Sequence, residues 1–363
     1  MDIRVQLQER SYQIRIGIDV LKALPEALLT CGLSKTCVIV THPRLFDLYG
    51  SLLAASLGRF GFSVTPILVP EGETTKNLDC AKMIYSKMVQ CGCDRHSFVI
   101  ALGGGVVGDL AGFVAGTYMR GIPFVQVPTT LLAQVDASIG GKVAVDLPEG
   151  KNLVGLFYQP ALVYIDVATL KSLPQREFIG GLAEVIKYGC IGDGELFDFL
   201  EMQADAVLRM DQSSLHYMIE RSCAAKARIV SEDEKESGLR AILNFGHTIG
   251  HAIESASGYH VLSHGEAVAI GMKGAALISH RMGLTTEEDV LRLDGLLERY
   301  TLPRSFSKPD PETVATYLWS DKKKKEGKLR WVLLHKIGEV SISHQVEMNE
   351  VLEVLKELYL PLS

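Results

Sequence analysis

The chain is 363 residues long, with 47% hydrophobic and 22% charged residues and a formal net charge of −6. That composition excludes a disordered chain and predicts a globular protein, by its length one of two domains. An acidic balance with no basic face argues against nucleic acid as a partner, and no apolar run approaches the ~20 residues of a membrane span.

The start, MDIRVQLQER, carries charge where a secretory signal needs an apolar core. Residues 3–8 and 12–17 alternate around a polar turn, which predicts a hairpin or two edge strands. A helix follows over 21–29, and 37–40 reads as a short buried strand that opens at Thr41-His42-Pro43. Strand 62–69 runs into a polar turn over 70–76 and then a helix over 78–90. Strand 97–102 enters Gly103-Gly104-Gly105, and strands 124–127 and 162–165 complete the set. Strands alternating with helices predict a parallel α/β sheet.

After Leu173-Pro174 the pattern turns helical, over 195–201, 206–209, 215–230, 243–254, 266–282 and 287–300. A loop covers 301–311, a small hairpin closes around Gly338 from 328–334 and 340–344, and the last helix is 348–358. The expected division is an α/β domain over 1–175 and a mainly helical domain over 176–363. Seven scattered cysteines show no metal-ligand spacing, and Cys91-x-Cys93 is read as incidental. They are expected to be reduced thiols of a cytoplasmic protein.

The stretch LNFGHTIGHAIE at 243–254 sets His247 and His251 four apart, on one face of an expected helix that Asn244 can cap. Such a pair holds a divalent metal or is simply two satisfied core histidines. Its neighbours favour the metal. GGLAEVIKYG at 180–189 offers Glu184 and Lys187, and LSHGEAVAIGM at 262–272 offers His264 and Glu266. Charges inside apolar, small-residue segments are costly unless paired or coordinated.

Gly103, Gly105 and Gly108 fit G-x-G-x-x-G between a strand and a helix, where backbone N–H groups can approach a pyrophosphate. No acid follows at the usual downstream distance, and Asp109 comes immediately after instead. The alternative is a tight turn that packs helix on strand. Asp136 and Lys142 flank Gly140-Gly141, and Lys151-Asn152 lies in another glycine-flanked turn. Lysines at such turns suit a phosphate or carboxylate, or are solvated surface lysines. Lys226, Glu236 and Arg240 precede the histidine stretch, and Arg240 shares a face with His247 if the helix is continuous. The lysine run 322–325 reads as a solvated face, although apolar Trp319, Leu329 and Trp331 beside it argue that one lysine points inward.

Together with PEGETTK, GGGVVGD, VPTTLLAQVDASIGGK, GKNLVGLFYQP, the stretch at 234–240 and DKK, these segments resemble 3-dehydroquinate synthases nearly end to end. The resemblance implies an N-terminal Rossmann-like NAD-binding α/β domain and a mainly α-helical C-terminal metal-binding domain. It implies Glu184, His247 and His264 as ligands of zinc or cobalt. NAD contacts fall on Glu73, Lys76, Gly104, Gly105, Asp109, Thr129 and Thr130, with Lys142 and Lys151 beside them. Substrate contacts fall on Asp136, Lys142, Lys151, Asn152, Lys187, Lys226, Arg240, Asn244, His251 and one of Lys322 or Lys323. Among these groups Lys142, Lys187, Asn244 and His251, with Glu236, are the implied catalytic residues. Arg120 resembles a residue that reaches a neighbouring subunit's phosphate site, which implies a homodimer. Two positions depart from the pattern. Thr41-His42 stands where many relatives carry an Asp or Asn able to bind the adenosine ribose, and Asp146 stands where Asn is common.

The implied substrate is a small sugar-phosphate acid, 3-deoxy-D-arabino-heptulosonate 7-phosphate, converted to 3-dehydroquinate and phosphate. NAD takes a hydride from a metal-polarised alcohol, phosphate leaves by β-elimination, the hydride returns, and an aldol step closes the ring. The rivals are another sugar-phosphate cyclase, such as a 2-deoxy-scyllo-inosose synthase, a metal-dependent polyol dehydrogenase, and a non-catalytic NAD- or metal-binding module.

Overall fold

The computed structural model describes residues 1–258, 261–324 and 329–361, with the side chains of 320–324 outside that description. The chain divides into two compact units. The first is Met1–Leu173 with Leu215–Lys235, and the second is Pro174–Ser214 with Glu236–Ser363. The expected boundary at 175 lies where the chain first leaves the α/β unit, but Leu215–Lys235 returns to that unit instead of staying with the helical one.

In the first unit a seven-stranded sheet runs in the order β1-β2-β9-β6-β5-β3-β4. The strands are β1 (Asp2–Val5), β2 (Tyr12–Gly17), β3 (Thr36–Thr41), β4 (Ser63–Leu68), β5 (Phe98–Gly103), β6 (Phe124–Pro128) and β9 (Leu162–Asp166). Only β1 is antiparallel to its neighbour, so the expected N-terminal hairpin forms the sheet's edge. Alternation along β3 sorts the core. Cys37 and Ile39 pack with Leu24, Leu28, Leu53 and Leu57 of two helices, Leu24–Thr30 and Ser51–Arg59. Val38 and Val40 face the helices Leu78–Gln90 and Gly105–Thr117, through Ile84, Met88, Leu110 and Val114. A strand buried on both faces is the form a parallel sheet takes under two helical layers.

The polar, glycine-rich passage after Thr130, to which the sequence assigns no strand, holds a second, two-stranded sheet: β7 (Lys142–Leu147) paired antiparallel with β8 (Gly150–Phe157). Val143 and Val145 of this hairpin join the core beside the helix Gly105–Thr117. Lys142 is therefore placed by pairing with Phe157, whereas Lys151 and Asn152 lie in β8 opposite the register shift, Asn152 at φ 57°.

The second unit is helical, as expected. Its helices are Gln175–Gly192, Gly194–Met202, His247–Ala256, His264–Arg281, Glu287–Arg299, Pro311–Lys324 and Met348–Leu358, with a hairpin of β10 (Trp331–Lys336) and β11 (Glu339–Ser343). Ile249, Ile253, Ile270, Val314, Trp331, Leu333, Val351 and Leu355 share one core.

Glycines let three of these helices approach closely. A Cβ on Gly265 would lie 2.0 Å from the Gly180 carbonyl oxygen, and one on Gly271 would lie 1.9 Å from the Gly246 carbonyl oxygen. Backbone cannot yield as a flexible side chain does, so a methyl group at either position forces the helices apart. Gly271→Ala is expected to destabilise the second unit by roughly 3 kcal/mol or more. Gly295, in the helix Glu287–Arg299, has nothing within 4 Å of its would-be Cβ. Gly295→Ala should instead stabilise by about 0.5–1 kcal/mol through helix propensity. Urea unfolding of both variants checks the pair, and equal effects would refute the close-approach argument.

Candidate functional site

Three segments of the second unit meet at Glu184. That carboxylate is 0% exposed, on the helix Gln175–Gly192 one turn beyond Gly180. Its Oε2 is ion-paired with Lys187, three residues along the same helix and also buried. Its Oε1 accepts no hydrogen bond, and lies 3.4 Å from His247 Nε2 and 3.5 Å from His264 Nε2. Burial alone would raise the Glu184 carboxyl, but Lys187 and His247 hold it well below the usual carboxylate range.

The two imidazoles are oriented from behind. His247 Nδ1 lies 3.1 Å from the Phe245 carbonyl, and His264 Nδ1 lies 3.2 Å from Glu254 Oε2. A carbonyl and a carboxylate only accept, so each Nδ1 carries a proton and each Nε2 is turned toward Glu184. Burial works to lower the His264 pKa, but Glu184 and Glu254 outweigh it and raise it to about 10. A divalent cation held by these groups displaces such a proton. An orphaned buried carboxylate oxygen between two imidazole nitrogens fits zinc or cobalt, which take mixed nitrogen and oxygen ligands.

His251 completes a cluster of three rings. Its centroid is 5.2 Å from that of His247 and 5.8 Å from that of His264. The ligand nitrogens of His247, His251 and His264 all lie within 4.8 Å of one another, so these three are a second set able to hold a metal. His251 keeps an exposed edge. The protein around it, with His247 and His264, pulls its pKa down to about 4.

Two sequence expectations fail here. Asn244 does not cap the histidine helix, which starts at His247 with Gly246 as its N-cap at φ 79°. Asn244 ends a separate short helix, Leu239–Asn244, and its Nδ2 donates to Glu236 Oε1 at 2.8 Å. The helix is therefore not continuous from Arg240 to His247. Glu266 is not a site group either. It closes the capping box with Ser263 at the start of the helix His264–Arg281 and takes two hydrogen bonds from Arg176. Glu254 was missed, although it lies in the quoted histidine stretch one turn beyond His251, on the face that His264 meets.

In the first unit the glycine turn ends β5 and starts the helix Gly105–Thr117, with Gly104 as its N-cap. Thr129 N–H donates to the Gly103 carbonyl at 2.9 Å, and a Cβ on Gly104 would meet Thr130 at 2.9 Å. The turn is thus a cradle that a side chain would fill, at a helix N-terminus where an anion is favoured. Beside it, Lys76 Nζ lies 2.6 Å from Asp109 Oδ2 and also meets Asn152 Oδ1. Lys151 Nζ lies 3.6 Å from Glu73 Oε1. Asp146, the departure noted in sequence, accepts from Asn152 N–H at 2.7 Å and so holds Asn152 at φ 57°. An Asn there could accept the same bond, so the substitution leaves the turn intact. Lys226 Nζ is bonded to Asp136 Oδ1 at 2.7 Å and to its carbonyl at 2.6 Å, which ties the returning segment to this unit. Arg120 is exposed on a turn of three left-handed residues, Met119, Arg120 and Gly121. The side chains of Lys322 and Lys323 lie outside the described residues.

A parallel-sheet unit with a glycine cradle and a helical unit with imidazoles about a buried carboxylate are the form found in sugar-phosphate cyclases. Two solved structures share this form at TM-score 0.89 and 30% identity. They are 2-epi-5-epi-valiolone synthase from Streptomyces hygroscopicus subsp. jinggangensis with NAD+ and Zn2+ bound, matched over 97% of this chain and 98% of that one, and 2-deoxy-scyllo-inosose synthase complexed with carbaglucose-6-phosphate, NAD+ and Co2+, over 98% and 100%. Residues 66–180 match the N-terminal family model of 3-dehydroquinate synthase, and 181–324 match its C-terminal model. A 3-dehydroquinate synthase of Pelobacter propionicus is 52% identical over 337 residues, 93% of this chain and 94% of that relative. The chain belongs to the 3-dehydroquinate synthase family.

One titration follows from the first unit. Burial raises the Asp109 carboxyl from 3.8 to about 6, against the pull of Lys76. A folded-state pKa above the unfolded value means that this group's contribution to stability is full below the unfolded pKa. It is lost as pH rises through the folded pKa. Asp109→Asn should therefore gain on the parent by about 2–3 kcal/mol between about pH 3.5 and about pH 7. Urea unfolding of parent and variant at both values measures it, and a constant difference would show that Asp109 titrates normally.

Proposed function

We propose that this chain converts 3-deoxy-D-arabino-heptulosonate 7-phosphate to 3-dehydroquinate and phosphate, with NAD and a zinc or cobalt ion as cofactors. The observation that carries it is the set of Glu184, Lys187, His247, His251 and His264, assembled in a chain 52% identical to such a synthase. The two cyclases of known structure named above are more distant, at 30% identity.

When bound, the metal supplies Lewis acidity toward a substrate hydroxyl and NAD supplies a reversible hydride acceptor. Glu184, His247 and His264 are the proposed metal ligands. The support is the orientation of the two rings: a ligating histidine almost always donates its second N–H to a carboxylate or carbonyl. His247 and His264 do so, and among the described residues no such group hydrogen-bonds the His251 ring. That frees His251 for the substrate. A neutral imidazole there can accept a proton or hydrogen-bond an anionic oxygen. Lys187 balances Glu184 and, with Arg240, Asn244 and Glu236, belongs to the proposed substrate and catalytic groups of the second unit. In the first unit Asp136, Lys142, Lys151, Asn152 and Lys226 are proposed for the substrate, and one of Lys322 or Lys323 joins them. Cationic side chains neutralise and orient a carboxylate and a phosphate. Glu73, Lys76, Gly104, Gly105, Asp109, Thr129 and Thr130 are proposed for NAD, with Lys142 and Lys151 at its edge.

A homodimer is part of the proposal. Its support is Arg120, a non-glycine residue held at φ 69° and exposed. Such strain is kept where the side chain has a task. Among the described residues no helix is long and apolar enough to cross a membrane, and the proposed site of action is the cytoplasm.

The decisive assay supplies the heptulosonate phosphate with a trace of NAD. Phosphate should be released over many turnovers per NAD, with no accumulated NADH. NADH rising one-for-one with product would instead make the chain a dehydrogenase. For the ligands, His264→Ala should lose bound metal, whereas His251→Ala should keep it and lose turnover by roughly 10²–10⁴-fold, the range of a general acid or base. Metal per subunit in the two purified variants decides between the ligand sets, and the reverse pattern would overturn the assignment.

A further inference from the structure

Lys142 follows a turn that its own residues do not fix. Gly140 and Gly141 stand at φ 97° and 68°, in the left-handed region. Glycine enters that region freely and leaves it as freely, so such a turn keeps one shape only when it is bonded from outside. Gly140 N–H donates to the Tyr12 hydroxyl oxygen at 3.0 Å, and Tyr158 N–H donates to the Gly141 carbonyl at 2.7 Å. Gln159 Nε2 donates to the Gly140 carbonyl at 3.4 Å.

Gln159 is the holder whose own place needs a cause. A Cβ on Gly141 would lie 2.6 Å from Gln159 Cδ, so the amide fills the space that a side chain there would need. Its Oε1 is buried and accepts no hydrogen bond, an arrangement that persists only when the other end of the amide is well bonded. Glu234 supplies that bond. Gln159 Nε2 donates to Glu234 Oε1 at 2.9 Å, the shorter and charge-assisted bond of its two. Glu234 is 12% exposed, and its Oε2 lies 2.7 Å from Arg10, on the turn between β1 and β2. It follows the helix Gln212–Glu232, on which Lys226 holds Asp136. The returning segment therefore grips the passage 136–142 at two points, directly at Asp136 and through Gln159 at Gly140.

We propose that Glu234 is a positioning residue for the reaction: through Gln159 it fixes the Gly140–Gly141 turn, and so the place from which Lys142 meets the substrate. The inference rests on the reading of Lys142 given above. A carboxylate suits the task because it only accepts. It settles which way the amide points, and the second N–H of Nε2 is then left for the Gly140 carbonyl. Without Glu234 the amide keeps one long bond to the turn, and two glycines regain their freedom immediately before Lys142. Arg10 contributes less, since its side chain is 58% exposed and solvent screens the pair.

The test joins kinetics of the full-length protein on the heptulosonate phosphate with hydrogen exchange in the absence of substrate. Glu234→Ala should lower kcat by about tenfold to a hundredfold, the scale of a misplaced catalytic group, and change KM by less than about threefold. Glu234→Gln keeps an acceptor oxygen for Gln159 and should recover most of the loss. Gln159→Ala combined with Glu234→Ala should be no slower than Gln159→Ala alone, because the two residues act as one unit. Amide exchange over residues 138–143 should quicken in Glu234→Ala and keep the parent rate in Glu234→Gln. Parent-like turnover in Glu234→Ala, losses that multiply in the double variant, or unchanged exchange would overturn the proposal. Where Glu234→Ala does not fold, Gln159→Asn, one methylene shorter, carries the same expectations for kcat and exchange. A parent inactive on the heptulosonate phosphate would sink the functional reading, and the exchange rates would still decide whether Glu234 fixes the turn.

Discussion

A carboxylate removed from water is the constraint on which the second unit depends. Glu184 is 0% exposed, and an isolated charge at that depth would either take up a proton or unfold its surroundings. The fold instead brings compensation from three directions. Lys187 arrives by helix periodicity, and His247 and His264 arrive on two other helices. Those helices reach Glu184 only because Gly246, Gly250, Gly265 and Gly271 remove the side chains that would hold them apart. The glycines flanking the site histidines are therefore packing residues, and the geometry about Glu184 is a consequence of helix spacing.

The first unit solves a similar problem with a weaker field. Lys76 is buried and its partner Asp109 is largely so, but Asp109 is offered no imidazole and its carboxyl is pushed up rather than down. The β7–β8 hairpin stiffens this corner. Asp146 N–H donates to the Lys76 carbonyl at 2.7 Å, while the Asp146 carboxylate fixes Asn152, whose amide oxygen meets the Lys76 ammonium. One hairpin residue thus holds both the backbone of a cation and the turn that presents its partner. Rigid strands place such groups more reproducibly than loops do.

How much of this was legible in sequence depended on the kind of signal. The parallel sheet was, because β3, β5, β6 and β9 are mainly apolar runs, buried along nearly their whole length. The β7–β8 hairpin was not, since lysines and glycines mask its alternation and its register is set by packing on the helix Gly105–Thr117. The return of Leu215–Lys235 to the first unit was also hidden: helical periodicity reports an apolar face but not which core receives it. At the site, identities were readable and local roles were not. Asn244 has the right chemistry for a cap and Glu266 for a ligand, yet a left-handed glycine starts one helix and a capping box takes up the other residue.

The histidines show why spacing cannot finish such an argument. His247 and His251 are equivalent by periodicity, and their rings are as close to each other as His247 is to His264. What distinguishes them is the far side of each ring. A carbonyl behind His247 and a carboxylate behind His264 decide which nitrogen carries hydrogen, and so which lone pair is available to a cation. Among the described residues no carbonyl or carboxylate hydrogen-bonds the His251 ring, and it keeps an edge to solvent. The difference between His247 and His251, one helical turn apart, thus lies in the acceptor behind the ring: the Phe245 carbonyl stands behind His247, and among the described residues no such group hydrogen-bonds His251.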